Sequence, residues 1–137
     1  MNEYRFEDLQ IGLKESFVCT ITQEMMEDFR RLTGDVNPLH LDSQYAVEHG
    51  FKGSVVYGML SASLISTLGG VYLPGKYCLI QQVETKFVKP VYVGDVLTVY
   101  GTVQELNDTV RQAVIKVEIK RDTEKVVRGC LKVGFLE

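Results

Sequence analysis

Between Thr33 and Asp42 the chain reads T-G-D-V-N-P-L-H-L-D, which sets a carboxylate (Asp35), an amide (Asn37) and an imidazole (His40) within six positions. Carboxylate and imidazole are the side chains that most often give and take protons in general acid–base chemistry. Extended chain would hold Asp35 and His40 roughly 16 Å apart, at about 3.3 Å per residue. A turn is needed before both can reach one substrate atom. Pro38 provides for one, because it biases Asn37 away from helical backbone angles and is itself favoured at the first position of a helical turn. Asn37 then reads as an N-cap whose side-chain oxygen accepts from the amide of Leu39 or His40. Taken alone, the spacing describes a capped turn with a surface histidine equally well.

A second feature lies downstream. The stretch from Gly53 to Gly75 carries no charge, and Tyr57-Gly58-Met59 opens a helix within it. Glycine at a helix start lets another molecule approach the backbone closely, and the free amides there favour developing negative charge. An acid/base pair beside such a helix end is a workable kit for chemistry next to a carbonyl.

The elements that must position these residues are legible in outline. Thr22 caps a helix over Gln23–Leu32 that places Met25, Met26, Phe29 and Leu32 on one side, with Ile21 and Met26 as a hydrophobic staple. Gly34 ends that helix and delivers the chain into Asp35. Asp42 caps a second short helix, Ser43–His49, closed by Gly50, with His49 a surface residue at its negative end. The uncharged stretch predicts a helix over Gly58–Leu73, about 24 Å long, striped by Leu60, Leu64 and Leu68 and buried nearly all round. Pro74-Gly75 ends it.

Strand patterns fill the rest. Lys14–Ile21 reads as a first strand at a sheet edge. Four further runs alternate with period two: Tyr77, Leu79, Val83 and Phe87; Leu97, Val99 and Val103; Ala113, Ile115, Val117 and Ile119; Val127, Leu131, Val133 and Phe135. Short loops join them, so they predict an antiparallel sheet with one buried face. Gly101, Gly129 and Gly134 inside strands allow it to bend. The implied architecture is α+β, a curved antiparallel sheet wrapped around a central apolar helix.

At 137 residues, 45% hydrophobic and 24% charged, the chain fits one domain over 1–137 with a core of its own. A net charge of −3 speaks against a protein built to hold nucleic acid or an anionic membrane. The glycines and serines of the uncharged stretch speak against a membrane span. Cys19, Cys78 and Cys130 are scattered, which fits reduced thiols in a cytoplasmic protein rather than disulfides or a metal site. The N-terminus has no leader-like apolar run.

The segment F-R-R-L-T-G-D-V-N-P-L-H-L-D-S-Q-Y-A, from Phe29 to Ala46, resembles the signature of the R-specific enoyl-CoA hydratases, also called MaoC-like dehydratases. The segments G-F-K-G-S-V-V-Y-G-M-L and F-V-K-P-V-Y-V-G-D extend the resemblance over nearly the whole chain. It implies a hot-dog fold and a homodimer whose sheets join, with the active site near the interface. It further implies reversible hydration of trans-2-enoyl thioesters of coenzyme A or acyl-carrier protein to (R)-3-hydroxyacyl thioesters. Asp35 and His40 match the catalytic pair, Asn37 a supporting polar group, and Gly58 the amide that holds the thioester oxygen. Tyr57 and Met59 fall in the substrate-binding segment; Tyr57 stands where many members have histidine, which leaves the acyl group open. No cofactor is expected beyond the coenzyme A or phosphopantetheine carried by the substrate. Lys86 and Lys89 suit either phosphates of such an arm or solvent, and Met59, Leu60 and Leu64 either an acyl tunnel or the core. A hot-dog thioesterase and a non-catalytic acyl-thioester-binding module are the alternatives.

Overall fold

The computed structural model describes all 137 residues, Met1–Glu137. After a short 3-10 turn at Phe6–Asp8 come β1 (Lys14–Thr20), α1 (Gln23–Thr33), α2 (Pro38–Leu41), α3 (Ser43–Glu48) and α4 (Gly58–Thr67). A π-helical turn, Leu68–Tyr72, leads into four strands: β2 (Cys78–Phe87), β3 (Val96–Asn107), β4 (Gln112–Arg121) and β5 (Glu124–Phe135). They form one antiparallel sheet in the order β1-β3-β4-β5-β2, so β1 and β2 are its edges. No helix is long and apolar enough to cross a membrane.

Alternation places the core. Leu97, Val99 and Val103 of β3, Ala113, Ile115, Val117 and Ile119 of β4, and Leu131 and Val133 of β5 are buried on one face, where they meet Ile65 and Leu68. Burying each such aliphatic side chain fully is worth about 1.5–3 kcal/mol relative to exposure. A Cβ on Gly129 would lie 1.8 Å from the Glu84 carbonyl oxygen, so the strand pairing there admits only glycine, while one on Gly101 would lie 3.0 Å from both terminal carbons of Leu68, which would have to give way.

Four expectations need correction. The helix predicted over Gly58–Leu73 is regular only to Thr67, and beyond it the backbone widens into the π turn, which brings Gly69 into close contact with Cys78 and Leu131. It is also not buried all round. Ser61, Ile65 and Leu68 face inward, while Met59, Ser63 and Ser66 are exposed, because the sheet covers one side and the residues on the other are mostly small. In β2 the inward set is not Tyr77 and Leu79: a bulge between Ile80 and Gln82 shifts the alternation. Cys78 and Ile80 therefore approach Gly69, and after the bulge Phe87 approaches Gly58. Finally, α1 buries Met26 with Met25 and Phe29 partly covered, whereas Leu32, in its last turn, has no core beside it and is 82% exposed.

Candidate active site

Local hydrogen bonds shape the turn that carries Asp35 and His40. Thr22 caps α1 by accepting from the Met25 amide. Gly34 ends the helix in the left-handed region at φ 72°, which a side chain would resist. Asp35 Oδ1 accepts from the Asn37 amide at 3.0 Å, and Asn37 Oδ1 accepts from the Leu39 amide at 2.9 Å. Asn37 is thus the cap of α2, with Pro38 in its first turn, as the sequence predicts. Asp42 Oδ1 caps α3 through the Tyr45 amide at 3.1 Å.

His40 is fixed by a longer-range bond. Its Nδ1 lies 2.6 Å from the Val55 carbonyl oxygen, which can only accept, so Nδ1 carries the proton and donates. In the neutral ring Nε2 is then the bare acceptor. The segment supplying that carbonyl is itself pinned, the Val55 amide to the Leu39 carbonyl at 3.0 Å and the Val56 amide to the Val91 carbonyl at 2.8 Å.

Tyr57 joins the two halves of the motif. It is 1% exposed, and its hydroxyl donates to the Asp35 main-chain carbonyl at 2.6 Å. Its ring lies 4.2 Å from that of His40 and 4.8 Å from that of Phe29, centroid to centroid. Burial, aided by the nearby Asp35 charge, pushes the phenol pKa up, which keeps the hydroxyl a donor.

Two cavities open on either side of the first turns of α4. One, of about 300 Å³, is lined by His40, Gly58 and Ser61 from the helix side and by Phe87, Lys89 and Val127 among others. The second, of about 640 Å³, is lined by Asp35, Met59, Ser66, Ile80 and Val83 among others. The amides of Gly58 and Met59 meet no acceptor in the chain, and α4 has no side-chain cap. Unpaired amides at a helix start suit an oxygen that gains negative charge.

The structure therefore groups His40 with Gly58 and Asp35 with Met59, and links the groups through Tyr57. Asn37 lines neither cavity; its side chain is spent on the cap. Lys89 borders the cavity of His40 and pairs with Glu124 at 3.4 Å, whereas Lys86 lies on the far face of the sheet beside Glu118 and Arg128. Of the leucine stripe, Leu60 and Leu64 are partly buried against the core and line neither cavity. No three histidine, cysteine, aspartate or glutamate side chains group as metal ligands would. Sequence reasoning did not find the Val55 carbonyl, the Tyr57 bond or Ser61. Only the last left a signal, three positions after Gly58 and so on the same helix face.

One helix gripped by one curved antiparallel sheet is the hot-dog arrangement, shared here with the solved (R)-hydratase from A. caviae involved in PHA biosynthesis. That structure superposes with a TM-score of 0.89 at 32% identity, covering 95% of this chain and 99% of the other. Within that fold the chain belongs to the MaoC-like domain family, whose profile matches residues 10–127. The 3-hydroxybutyryl-CoA dehydratase of Methylorubrum extorquens is 33% identical over 124 residues, 90% of this chain and 79% of its own length. The (R)-specific enoyl-CoA hydratase of Rhodospirillum rubrum is 38% identical over 101 residues, 74% of this chain and 70% of its own.

Proposed function

We propose that the protein is a hydro-lyase that adds water reversibly to trans-2-enoyl thioesters, giving (R)-3-hydroxyacyl thioesters. The observation that carries this reading is the grouping of His40 and the unpaired Gly58 amide on one cavity, with Asp35 tied to the same helix start through Tyr57. In the hydration direction the oxygen of water bonds to C3, and the π electrons of C2=C3 move toward the carbonyl, whose oxygen gains charge. The Gly58 amide stabilises that charge. Asp35 and His40 take the water proton and deliver one to C2, working on one water held between them. The thioester is carried by coenzyme A or by the phosphopantetheine of an acyl-carrier protein, with Lys89 near the cavity mouth. Asn37 serves the reaction by holding the turn, and Met59 borders the acyl side.

The working form is a homodimer. Edge strand β2 leaves Ile80, Val83 and Phe87 half-exposed, and Met59 on α4 is 65% exposed. A second copy would cover this face and complete the cavity beside Asp35.

Purified protein with crotonyl-CoA tests the reading by following enoyl absorbance, thiol release and product stereochemistry together. The expected result is hydration to the (R) product without thiol release. Asp35→Asn and His40→Gln should each lower the rate about 10²–10⁴-fold while the oligomer stays intact. Thiol release as the main reaction would establish a thioesterase instead. No reaction across several chain lengths would leave a binding module.

A further inference from the structure

Ser61 lies one helical turn beyond Gly58, on the same face of α4, and lines the same cavity as Gly58 and His40. It is 2% exposed, and its Oγ is the only buried side-chain oxygen or nitrogen in the chain without a hydrogen-bond partner. Buried hydroxyls are nearly always paired, so an orphan asks for an explanation. A helical serine ordinarily returns its proton to the carbonyl one turn back. Here that carbonyl, on Tyr57, already accepts from the amides of Leu60 at 3.0 Å and Ser61 at 3.2 Å.

Helical side chains lean toward the N-terminus, which carries the Ser61 hydroxyl over the turn that starts at Gly58. Gly58 has no side chain to fill that space, and the Phe87 ring bounds it, within 3.1 Å of where a Cβ would stand. Val56, Val91 and Val127 make up apolar lining nearby. The protein thus offers Oγ no partner, and the unpaired Gly58 amide sits on the same wall.

We propose that the Ser61 hydroxyl is a second donor to the thioester carbonyl oxygen, acting beside the Gly58 amide; this rests on the hydratase reading above. When water bonds to C3 and the double-bond electrons move toward the carbonyl, two donors then meet the charged oxygen instead of one. The enolate-like species is common to both directions, so the hydroxyl serves hydration and dehydration alike. It also explains why the site tolerates an unpaired hydroxyl: its partner arrives with the substrate.

The test compares Ser61→Ala and Ser61→Thr with the unaltered protein on crotonyl-CoA. Ser61→Ala should lower kcat about 10- to 100-fold with KM changed by less than about threefold. Its melting temperature should not fall, because it removes only an unpaired hydroxyl. Ser61→Thr, which keeps the hydroxyl, should restore most of the rate. A spectroscopic arm uses crotonyl-CoA labelled with ¹³C at the carbonyl and bound to Asp35→Asn protein. The carbonyl band should lie at lower frequency than in free substrate, and part of that displacement should vanish when Ser61→Ala is added. An unchanged kcat in Ser61→Ala with an unmoved band overturns the proposal. No hydration of crotonyl-CoA or longer enoyl thioesters by the unaltered protein would overturn the hydratase reading itself, and the Ser61 role with it; hydration by the unaltered protein beside a fully active Ser61→Ala overturns the Ser61 role alone.

Discussion

The Tyr57 hydroxyl donates to the main-chain carbonyl of Asp35 at 2.6 Å, across 22 positions of sequence, while the same ring packs 4.2 Å from His40. One buried side chain thereby sets the spacing between an acid and an imidazole that lie on different sides of a helix start.

Removing that hydroxyl should separate positioning from packing. Tyr57→Phe keeps the ring and loses the bond, so it should cost about 0.5–1.5 kcal/mol of stability and lower kcat about tenfold with little change in KM. Urea unfolding and steady-state kinetics check both. The phenol pKa is raised in the folded protein, chiefly by burial. Its contribution is therefore complete below the unfolded value near 10 and is lost as pH rises through the higher folded value. The stability gap between the two proteins should persist at pH 10 and close only above it.

Gly58 is the second place where a small change has a defined target. A methyl there would stand 3.1 Å from the Phe87 ring, and Phe87 is the half-exposed end of an edge strand and able to move. Gly58→Ala should leave the melting temperature within a few degrees, since alanine suits a helix. The displaced ring should instead intrude on the cavity of about 300 Å³ shared with His40. The expected loss is about 10–100-fold in kcat/KM, partly restored by adding Phe87→Leu. A Gly58→Ala variant with full activity would remove the glycine from the site.

A pH test reports on the far face of the sheet. Glu118 accepts from Lys125 at 2.9 Å and lies 3.7 Å from Lys116, and these contacts, led by the Lys125 hydrogen bond, hold its carboxyl below the usual range. A lowered folded pKa adds stability above the unfolded value of about 4.5, and that stability is lost as pH falls through the folded one. Both lysines are about half exposed, so the gain is small. Glu118→Gln should be less stable by about 0.5–1 kcal/mol at pH 7, with the difference shrinking as pH falls below the unfolded value. A gap that stays constant with pH would assign it to packing.

What the sequence disclosed was local. Thr22, Asn37 and Asp42 cap their helices as expected, because a cap bonds within three residues of itself. β4 kept its phase because its alternation runs without interruption over Ala113, Ile115, Val117 and Ile119. β2 did not, because the bulge after Ile80 is a pairing property decided by β5 and is invisible in one strand. Likewise, the uniform stretch from Gly58 hid a helix with one covered and one open side; which side is covered depends on the sheet. The Asp35–His40 pair was visible as a motif, while what fixes each member came from Tyr57 and Val55, whose distance in sequence leaves no pattern to read.

The succession of caps around the turn has a consequence in entropy. Asp35, Asn37 and Asp42 each hold a backbone amide two or three residues onward, so the turn is ordered by its own side chains before any ligand arrives. Freezing a residue's backbone costs about 1–2 kcal/mol, and for this stretch that cost falls on folding rather than on binding. A ligand meets a surface that need not be reshaped, and its interaction energy remains available for the reacting atoms.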